Sequence, residues 1–181
     1  GLVLAPTREL AVQIQEELRD LCEFKEGVRT VCLYGGAPID KQINTLKKRP
    51  QIVMATPGRL MDHMKRRTVR LDKVQTVVLD EADRMLDMGF VRDVTRILDQ
   101  LKHRKNMGMF SATISREVMD ISWVYQRDPI EITVRPVEES KPDITSTAST
   151  WTAGRRSWTP LWPSSPTGST SGPSPSATPR T

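Results

Sequence analysis

The sequence predicts an α/β fold in which a mostly parallel sheet carries helices on both faces. From Gly1 to about residue 134, short apolar runs alternate with amphipathic stretches, the pattern of strands joined by covering helices. Polar residues suited to ligand binding follow directly after several of these runs, as they do at the carboxyl ends of strands in such sheets. The predicted strands are residues 2–5, 30–34, 51–55, 76–80, 107–110 and 130–134.

The stretches between the predicted strands carry helix signals. Apolar residues between positions 10 and 21 recur at helical spacing, with charged residues on the other side, and predict a surface helix over the sheet. Thr56 followed by Pro57 is typical of a helix start, a capping residue before a first-turn proline. Two later helices are predicted at residues 91–101 and 117–125.

The composition permits a nucleic-acid partner without requiring one, because the net charge is +5 and the pI is about 9.5. No apolar run approaches the roughly 18 residues that span a bilayer, and the first residues lack the regions of a signal peptide. We therefore expect a cytoplasmic protein with no membrane partner. Cys22 and Cys32 lack metal-ligand spacing and are predicted to be a buried, reduced pair.

Both ends of the sequence are unusual. The chain starts with Gly1 directly in an apolar run, which predicts an N-terminally truncated sheet. Residues 146–181 contain no acidic residue and no Ile, Val, Met or Phe. We expect residues 1–134 to form the folded domain, 135–145 a linker and 146–181 a disordered C-terminal tail. A frameshift near Thr145 is an alternative, since suitable codons shifted by one base encode a strand-like run and a charged helix start.

An acidic segment supplies the strongest functional signal. The apolar run at residues 77–79 ends in Asp80-Glu81-Ala82-Asp83, which places carboxylates at the carboxyl end of a strand. A nucleotide hydrolase needs one carboxylate for Mg²⁺, often through water, and a second for the attacking water. Asp80 and Glu81 suit these two roles, and Asp83 suits a tether. The alternative is that Asp80 only caps a helix and the other acids are solvated.

Three further segments follow predicted strands. Thr7 can cap the helix that begins after Pro6, leaving backbone N–H groups able to hold phosphate. The Thr-Pro-Gly-Arg segment at 56–59 repeats this arrangement, with an arginine able to pair with phosphate or an acid. The glycine pair at 35–36 follows the second strand. Each alone is more often an ordinary cap or turn, but together they predict a phosphate-binding track along one edge of the sheet.

Ser111 and Thr113 follow the fifth predicted strand. Their hydroxyl groups are placed to hydrogen-bond Asp83 and so to link the nucleotide site with neighbouring loops.

In order, spacing and identity, these segments resemble the DEAD-box ATP-dependent RNA helicases of superfamily 2, over about residues 1–145. The resemblance implies a fragment of the first of two RecA-like domains, with ATP and Mg²⁺ as cofactors and RNA bound through its backbone without sequence preference. It implies RNA-stimulated ATP hydrolysis coupled to local duplex unwinding. By position, Asp80 (Mg²⁺, through water) and Glu81 are catalytic, and Asp83, Ser111 and Thr113 couple hydrolysis to unwinding. The implied RNA-binding residues are Pro6, Thr7, Arg8, Gly35, Gly36, Thr56, Pro57, Gly58 and Arg59.

The sequence also departs from that pattern. Residues 1–181 contain no G-x-x-x-x-G-K-[ST] phosphate loop and no second motor domain. We therefore expect this polypeptide alone neither to hydrolyse ATP nor to unwind RNA. The alternatives are a non-enzymatic RNA-backbone binding fragment and a related motor that acts on DNA.

Other residues are predicted to be structural. His63 and His103 have no clustered ligands and are expected at the surface. Six methionines are predicted to lie in or against the core, at positions 54, 61, 64, 85, 88 and 109.

Overall fold

A computed structural model describes residues 1–134, of which Gly1–Thr133 form one compact unit. Five short strands alternate with helices. In chain order the elements are β1 (Leu2–Leu4), α1 (Arg8–Leu21), β2 (Thr30–Leu33), α2 (Ile39–Leu46), β3 (Ile52–Ala55), α3 (Pro57–Lys65), β4 (Thr76–Leu79), α4 (Ala82–Met85), a wide helical turn (Leu86–Phe90), α5 (Val91–Asp99), β5 (Asn106–Met109) and α6 (Arg116–Tyr125). The predicted linker at 135–145 and tail at 146–181 lie outside the described residues.

The five strands form one parallel sheet in the order β2-β3-β1-β4-β5. β1 occupies the centre, where Leu2 is level with Val53 of β3 and with Val77 of β4. Because every strand runs in the same direction, all the loops that follow strands lie along one edge of the sheet. The predicted mostly parallel α/β fold is therefore confirmed.

The core has two layers because side chains alternate across each strand. Leu33 points into the larger layer, where buried residues of α3 and α5, including Leu60 and Ile97, pack against the sheet. The adjacent Cys32 joins Met54 and Ala11 of α1 in the second layer. Helices therefore cover both faces of the sheet and hold its carboxyl edge in one arrangement.

Five of the six predicted strands are present, with each end within one residue of the prediction. The sixth, at residues 130–134, is wrong: this segment has no regular structure, and Ile130 and Ile132 are 89% and 85% exposed. Among residues 1–134, no strand pairs with this segment. Asp128, in a left-handed conformation with φ 46°, and Pro129 lead into this segment after α6.

His63 is not at the surface, so that prediction is wrong. His63 belongs to α3 and is fully buried on the inner side of this helix. His103 is exposed, as predicted. The basic residues that follow His63 are solvated, but the ring itself points inward and finds hydrogen-bond partners in Gln42 and Thr68. Helical periodicity, not local charge, determines which way this side chain points.

The sulfur-containing residues only partly follow the prediction. Five of the six methionines lie in or against the core, but Met88 is 51% exposed in the wide turn. Both cysteines are free, yet only Cys32 is buried, so they do not form a buried pair. Burial raises the pKa of the Cys32 thiol to about 11, which keeps it protonated and unreactive near neutral pH. Within residues 1–134, no helix is both long enough and apolar enough to cross a bilayer.

Candidate functional site

The carboxyl edge of the sheet gathers every residue that the sequence analysis selected. Residues 6–8 follow β1, Gly35 and Gly36 follow β2, and residues 56–59 follow β3. The acidic segment follows β4, and Ser111 and Thr113 follow β5. Five separate stretches of sequence therefore meet along one line, which is where open parallel sheets bind ligands.

The acidic loop, residues 80–83, follows β4 and has a constrained backbone conformation. The backbone N–H of Asp80 donates to the carbonyl of Leu4 on the neighbouring β1, at 2.9 Å. Glu81 then adopts the left-handed region, with φ 46° and ψ 53°, and its N–H donates to Asp80 Oδ1 at 3.0 Å. A non-glycine residue in this region costs about 1–2 kcal/mol, so the surrounding contacts must hold it there. The Glu81 carboxylate emerges at the surface, 3.0 Å from Arg84 Nη1.

Asp83 joins the acidic loop to the loop after β5. Its Oδ2 accepts hydrogen bonds from the backbone N–H and the hydroxyl of Thr113, at 2.8 and 2.7 Å. Ser111 Oγ accepts from the backbone N–H of Asp83 at 3.2 Å and donates to the carbonyl of Thr113 at 2.7 Å. The predicted contacts of both hydroxyl groups with Asp83 are therefore present. Any movement of one loop must be transmitted to the other or break these bonds.

Asp83 is held in its charged form. Burial alone would raise the pKa of its carboxyl group. The hydroxyl of Thr113 and the backbone N–H groups of Arg84 and Thr113 donate to the carboxylate and outweigh burial, so the pKa lies below its ordinary value of 3.8. Asp83 is therefore a fixed anion that fastens two loops, as its predicted tether role requires.

The glycine loop after β2 is bracketed by two side-chain contacts. Gln42 Nε2 donates to the carbonyl of Tyr34 at 3.0 Å, and Arg59 Nη1 donates to the carbonyl of Ala37 at 2.9 Å. Gly36 has φ +82°, a conformation in which a side chain would be strained. Arg59 is thus engaged with a backbone carbonyl and with Gln42 in this structure, not with an acid.

Arg8 connects the first loop to the second. Its exposed guanidinium group stacks over the ring of Tyr34, with 4.8 Å between the guanidinium carbon and the ring centroid. Thr7 caps α1 as predicted, because its Oγ1 accepts from the backbone N–H of Leu10 at 3.3 Å. The stacking leaves the outer edge of the guanidinium able to bind an anion beside Gly36.

The second and third loops line a common cleft of about 500 Å³. Gly35, Thr56, Gly58 and Arg59 form part of its wall. Its lining also includes residues that the sequence analysis did not select, namely Met61, Asp62, Lys65, Phe90 and Asp93. Met61, Asp62 and Lys65 lie on α3, and their helical spacing from Thr56 could have identified them from the sequence. Phe90 lies in the wide turn and reaches the cleft only through the tertiary fold.

Two predicted RNA-binding residues have buried side chains. Pro6 and Pro57 lie beneath the surface of the carboxyl edge. Pro57 occupies the first turn of α3 as predicted, but Thr56 makes no side-chain capping bond. These prolines therefore shape the loop backbone and present little exposed surface to a ligand.

The site fits a magnesium ion held largely by a nucleotide. No three potential metal-ligand side chains cluster within residues 1–134. Mg²⁺, however, commonly takes one or two carboxylates and completes its shell with phosphate oxygens and water. Asp80 Oδ1 is occupied by the N–H of Glu81, whereas no hydrogen bond to Oδ2 is present among the described residues. Asp80 thus has an oxygen free for such an ion or its water.

A buried polar network lies behind the cleft. Gln42 Oε1 accepts from Arg59 Nη1 at 3.0 Å and lies 2.9 Å from His63 Nε2. His63 Nδ1 in turn lies 2.8 Å from the hydroxyl of Thr68. Burial lowers the pKa of His63 below its ordinary value of 6.5, the positive charges of Arg59 and Arg66 add to this, and Asp62 opposes it.

We expect stability to fall as the pH drops below 6.5, because the unfolded chain then binds a proton that folded His63 resists. The loss should end once the pH passes the lower pKa of the folded state. The measurement is the free energy of unfolding between pH 8 and pH 5 for the wild-type chain and for His63→Gln. The wild type should lose more stability over this range than the variant. Equal losses would show that His63 does not contribute.

A parallel sheet whose carboxyl edge carries a carboxylate pair, a tethered Ser-Ala-Thr loop and three loops predicted to hold phosphate is typical of the motor domains of helicases. The DEAD/DEAH box helicase family model matches residues 1–121, and the chain belongs to this family.

Two curated relatives illustrate the similarity. The chain is 45% identical over 151 residues to the ATP-dependent RNA helicase DeaD of Escherichia coli strain K12, covering 83% of this chain and 24% of the relative. It is 45% identical over 144 residues to the DEAD-box ATP-dependent RNA helicase CshA of Bacillus cereus, covering 80% of this chain and 27% of the relative. The chain thus spans about a quarter of the length of these relatives.

Solved structures agree with the RecA-like fold. A hypothetical ATP-dependent RNA helicase from Sulfolobus tokodaii superposes with a TM-score of 0.67 at 38% identity, over 70% of this chain and 38% of that one. The yeast DEAD-box splicing factor Prp28 also gives a TM-score of 0.67, at 33% identity, over 70% of this chain and 30% of that one.

Proposed function

We propose that this chain is part of an ATP-dependent RNA helicase, in which RNA-stimulated ATP hydrolysis drives local unwinding of RNA duplexes. The observation that carries the proposal is the fastening of the acidic loop to the Ser111–Thr113 loop by Asp83, with 2.7 and 2.8 Å bonds to Thr113. The two carboxylates proposed for hydrolysis, Asp80 and Glu81, then belong to the same hydrogen-bonded unit as a loop able to transmit movement. The loops proposed to bind RNA lie along the same edge of the sheet.

The chain's own residues divide the chemistry between them. Asp80 offers a free carboxylate oxygen to Mg²⁺ through water, and Glu81 orients the attacking water and accepts its proton. As the water oxygen bonds to the γ-phosphorus, the bond from that phosphorus to the β,γ-bridging oxygen breaks and ADP leaves with the electron pair. Bound Mg²⁺ supplies positive charge to the phosphate oxygens. The left-handed backbone at Glu81 directs its side chain outward from the end of β4, where a nucleotide would lie.

RNA binding is proposed to use the sugar-phosphate backbone and to be independent of sequence. Backbone N–H groups at the start of α1 and the guanidinium of Arg8 face the carboxyl edge beside Gly36. These groups recognise phosphate and carry no base information. The cleft lined by Gly35 and Thr56 also includes Lys65, whose positive charge would add to the proposed RNA-binding surface.

Replacing Arg8 with alanine should weaken binding of the 181-residue chain to a ten-nucleotide oligouridine about fivefold, because one phosphate contact is lost. The slope of log K against log salt should fall by about 0.7. The measurement is fluorescence anisotropy with oligouridine and oligoadenosine, each at several salt concentrations. Both sequences should be affected equally.

Arg19→Ala is the matched control, because Arg19 is an exposed arginine in the last turn of the same helix, away from the carboxyl edge. Equal weakening by both variants would indicate non-specific attraction and contradict the assignment of Arg8. Binding of the matching deoxyribose oligonucleotide as tightly as the ribose form would favour a motor that acts on DNA.

Catalysis is best tested in a chimera. Residues 1–134 would replace the matched segment of DeaD from Escherichia coli, which is 45% identical over the aligned region. The 181-residue polypeptide alone is expected to show no ATP hydrolysis, because its sequence contains no phosphate loop. If the chimera is also inactive while the polypeptide binds RNA, the non-enzymatic alternative is favoured.

The cytoplasmic location stays a prediction.

A further inference from the structure

We propose that Gln42 and His63 are positioning residues that hold the Gly35–Gly36 loop and Arg59 in the arrangement that contacts RNA. The assignment of this loop to RNA rests on the proposed function. The positioning itself rests on a chain of hydrogen bonds that starts at Thr68, passes through His63 and Gln42, and ends on both the loop and Arg59.

Gln42 is the branch point of this chain. The residue is only 6% exposed, and both ends of its amide group make hydrogen bonds. Nε2 donates to the carbonyl of Tyr34, while Oε1 accepts from Arg59 and faces His63 Nε2. A rotated amide would place its NH₂ group against Arg59 Nη1, which can only donate, and its oxygen against the Tyr34 carbonyl, which can only accept, so only one orientation is compatible with the neighbours.

The orientation of the Gln42 amide fixes the tautomer of His63, because Gln42 Oε1 can only accept. His63 Nε2 must therefore carry a hydrogen, and in the neutral ring Nδ1 accepts from the hydroxyl of Thr68. Thr68 is anchored in turn, since its backbone N–H donates to the carbonyl of His63 at 3.0 Å. The ring is thus held on both sides in a site with no exposed surface.

The network bears directly on the glycine loop. The two carbonyl groups that it reaches, those of Tyr34 and Ala37, immediately flank Gly35 and Gly36. Glycines have the largest conformational freedom to lose on binding, and a loop fixed in advance loses less. A buried polar network that is fully satisfied rigidifies its surroundings, which gives the loop one conformation before any ligand arrives.

The test compares four variants of the 181-residue chain. His63→Leu and Gln42→Leu remove the network, whereas His63→Gln keeps an N–H donor that can face Gln42. Ile97→Val trims the core on α5, a helix that carries none of the network's residues, and controls for general loss of stability. The readouts are ¹⁵N backbone order parameters at residues 35–37, the thermal midpoint, and the affinity for ten-nucleotide oligouridine.

Both leucine variants should lower the loop order parameters from about 0.85 to below about 0.6. They should weaken RNA binding by about threefold to tenfold, because a smaller fraction of the chain has the competent loop. His63→Gln should bind within about twofold of wild type. Ile97→Val should lower the thermal midpoint and leave both other readouts unchanged.

Unchanged loop order parameters in His63→Leu would overturn the proposal, as would weaker RNA binding by Ile97→Val equal to that of His63→Leu. If the wild-type chain does not bind oligouridine at all, the proposed RNA function fails for this chain. The order parameters then still decide whether Gln42 and His63 position the loop.

Discussion

Replacing Glu81 with glutamine in the chimera should slow RNA-stimulated ATP hydrolysis by about 10²–10⁴-fold, the usual contribution of a positioned general base. Glutamine keeps the size and the left-handed turn but cannot accept the proton of the attacking water. The ion pair with Arg84 at 3.0 Å is also lost, but it is exposed and contributes little to stability. The measurement is phosphate release at saturating ATP and RNA, with RNA affinity determined in parallel.

Glu117→Gln is the matched control, because Glu117 is an exposed acid in the first turn of α6. Its side chain makes no hydrogen bond or ion pair with the acidic segment among the described residues. It should hydrolyse ATP like the unsubstituted chimera. A rate within tenfold of that chimera for Glu81→Gln, with RNA binding intact, would remove Glu81 from the catalytic role.

Replacing Asp83 with alanine should lower the free energy of unfolding of the 181-residue chain by about 2–3 kcal/mol. The carboxylate accepts three hydrogen bonds at 2.7–2.9 Å, and its removal leaves the backbone N–H of Thr113 without its partner. Two loops are then released from each other. In the chimera, duplex unwinding should fall more than ATP hydrolysis. Urea unfolding and a strand-displacement assay measure the two effects.

The stabilisation by Asp83 should depend on pH in a definite direction. The pKa of Asp83 is lowered in the folded state, so its stabilisation is complete above the ordinary value of 3.8 and is lost as the pH falls through the lower, folded value. The difference between wild type and Asp83→Ala should therefore shrink under strongly acidic conditions. Asp120→Ala, at an exposed acid of α6, should change the unfolding free energy by less than about 0.5 kcal/mol. A similarly small change for Asp83→Ala would contradict the tether.

Local pattern was sufficient to predict the strands of the sheet and the edge along which the candidate site lies. The apolar run before Asp80 shows where β4 ends, and parallel strands necessarily bring their following loops together. The contacts of Ser111 and Thr113 with Asp83 followed from the same reasoning. Residues 130–134 show its limit, because an alternating pattern predicts a strand but cannot supply a partner strand.

Side-chain partners across the fold could not be predicted from the sequence. Gln42 and His63 are separated by 21 positions, and neither has a distinctive neighbourhood in the sequence. Their hydrogen bond depends on how α2 and α3 pack against the sheet. The stacking of Arg8 on Tyr34 and the entry of Phe90 into the cleft likewise arise from packing between segments far apart in the chain.

The most direct test of the central claim is ATP hydrolysis by the chimera with and without RNA. We predict hydrolysis that rises on addition of single-stranded RNA and that falls about 10²–10⁴-fold in Glu81→Gln. A chimera that folds and binds ATP and RNA, yet hydrolyses ATP no faster with RNA than without it, would contradict the assignment of this carboxyl edge as a coupled nucleotide and RNA site.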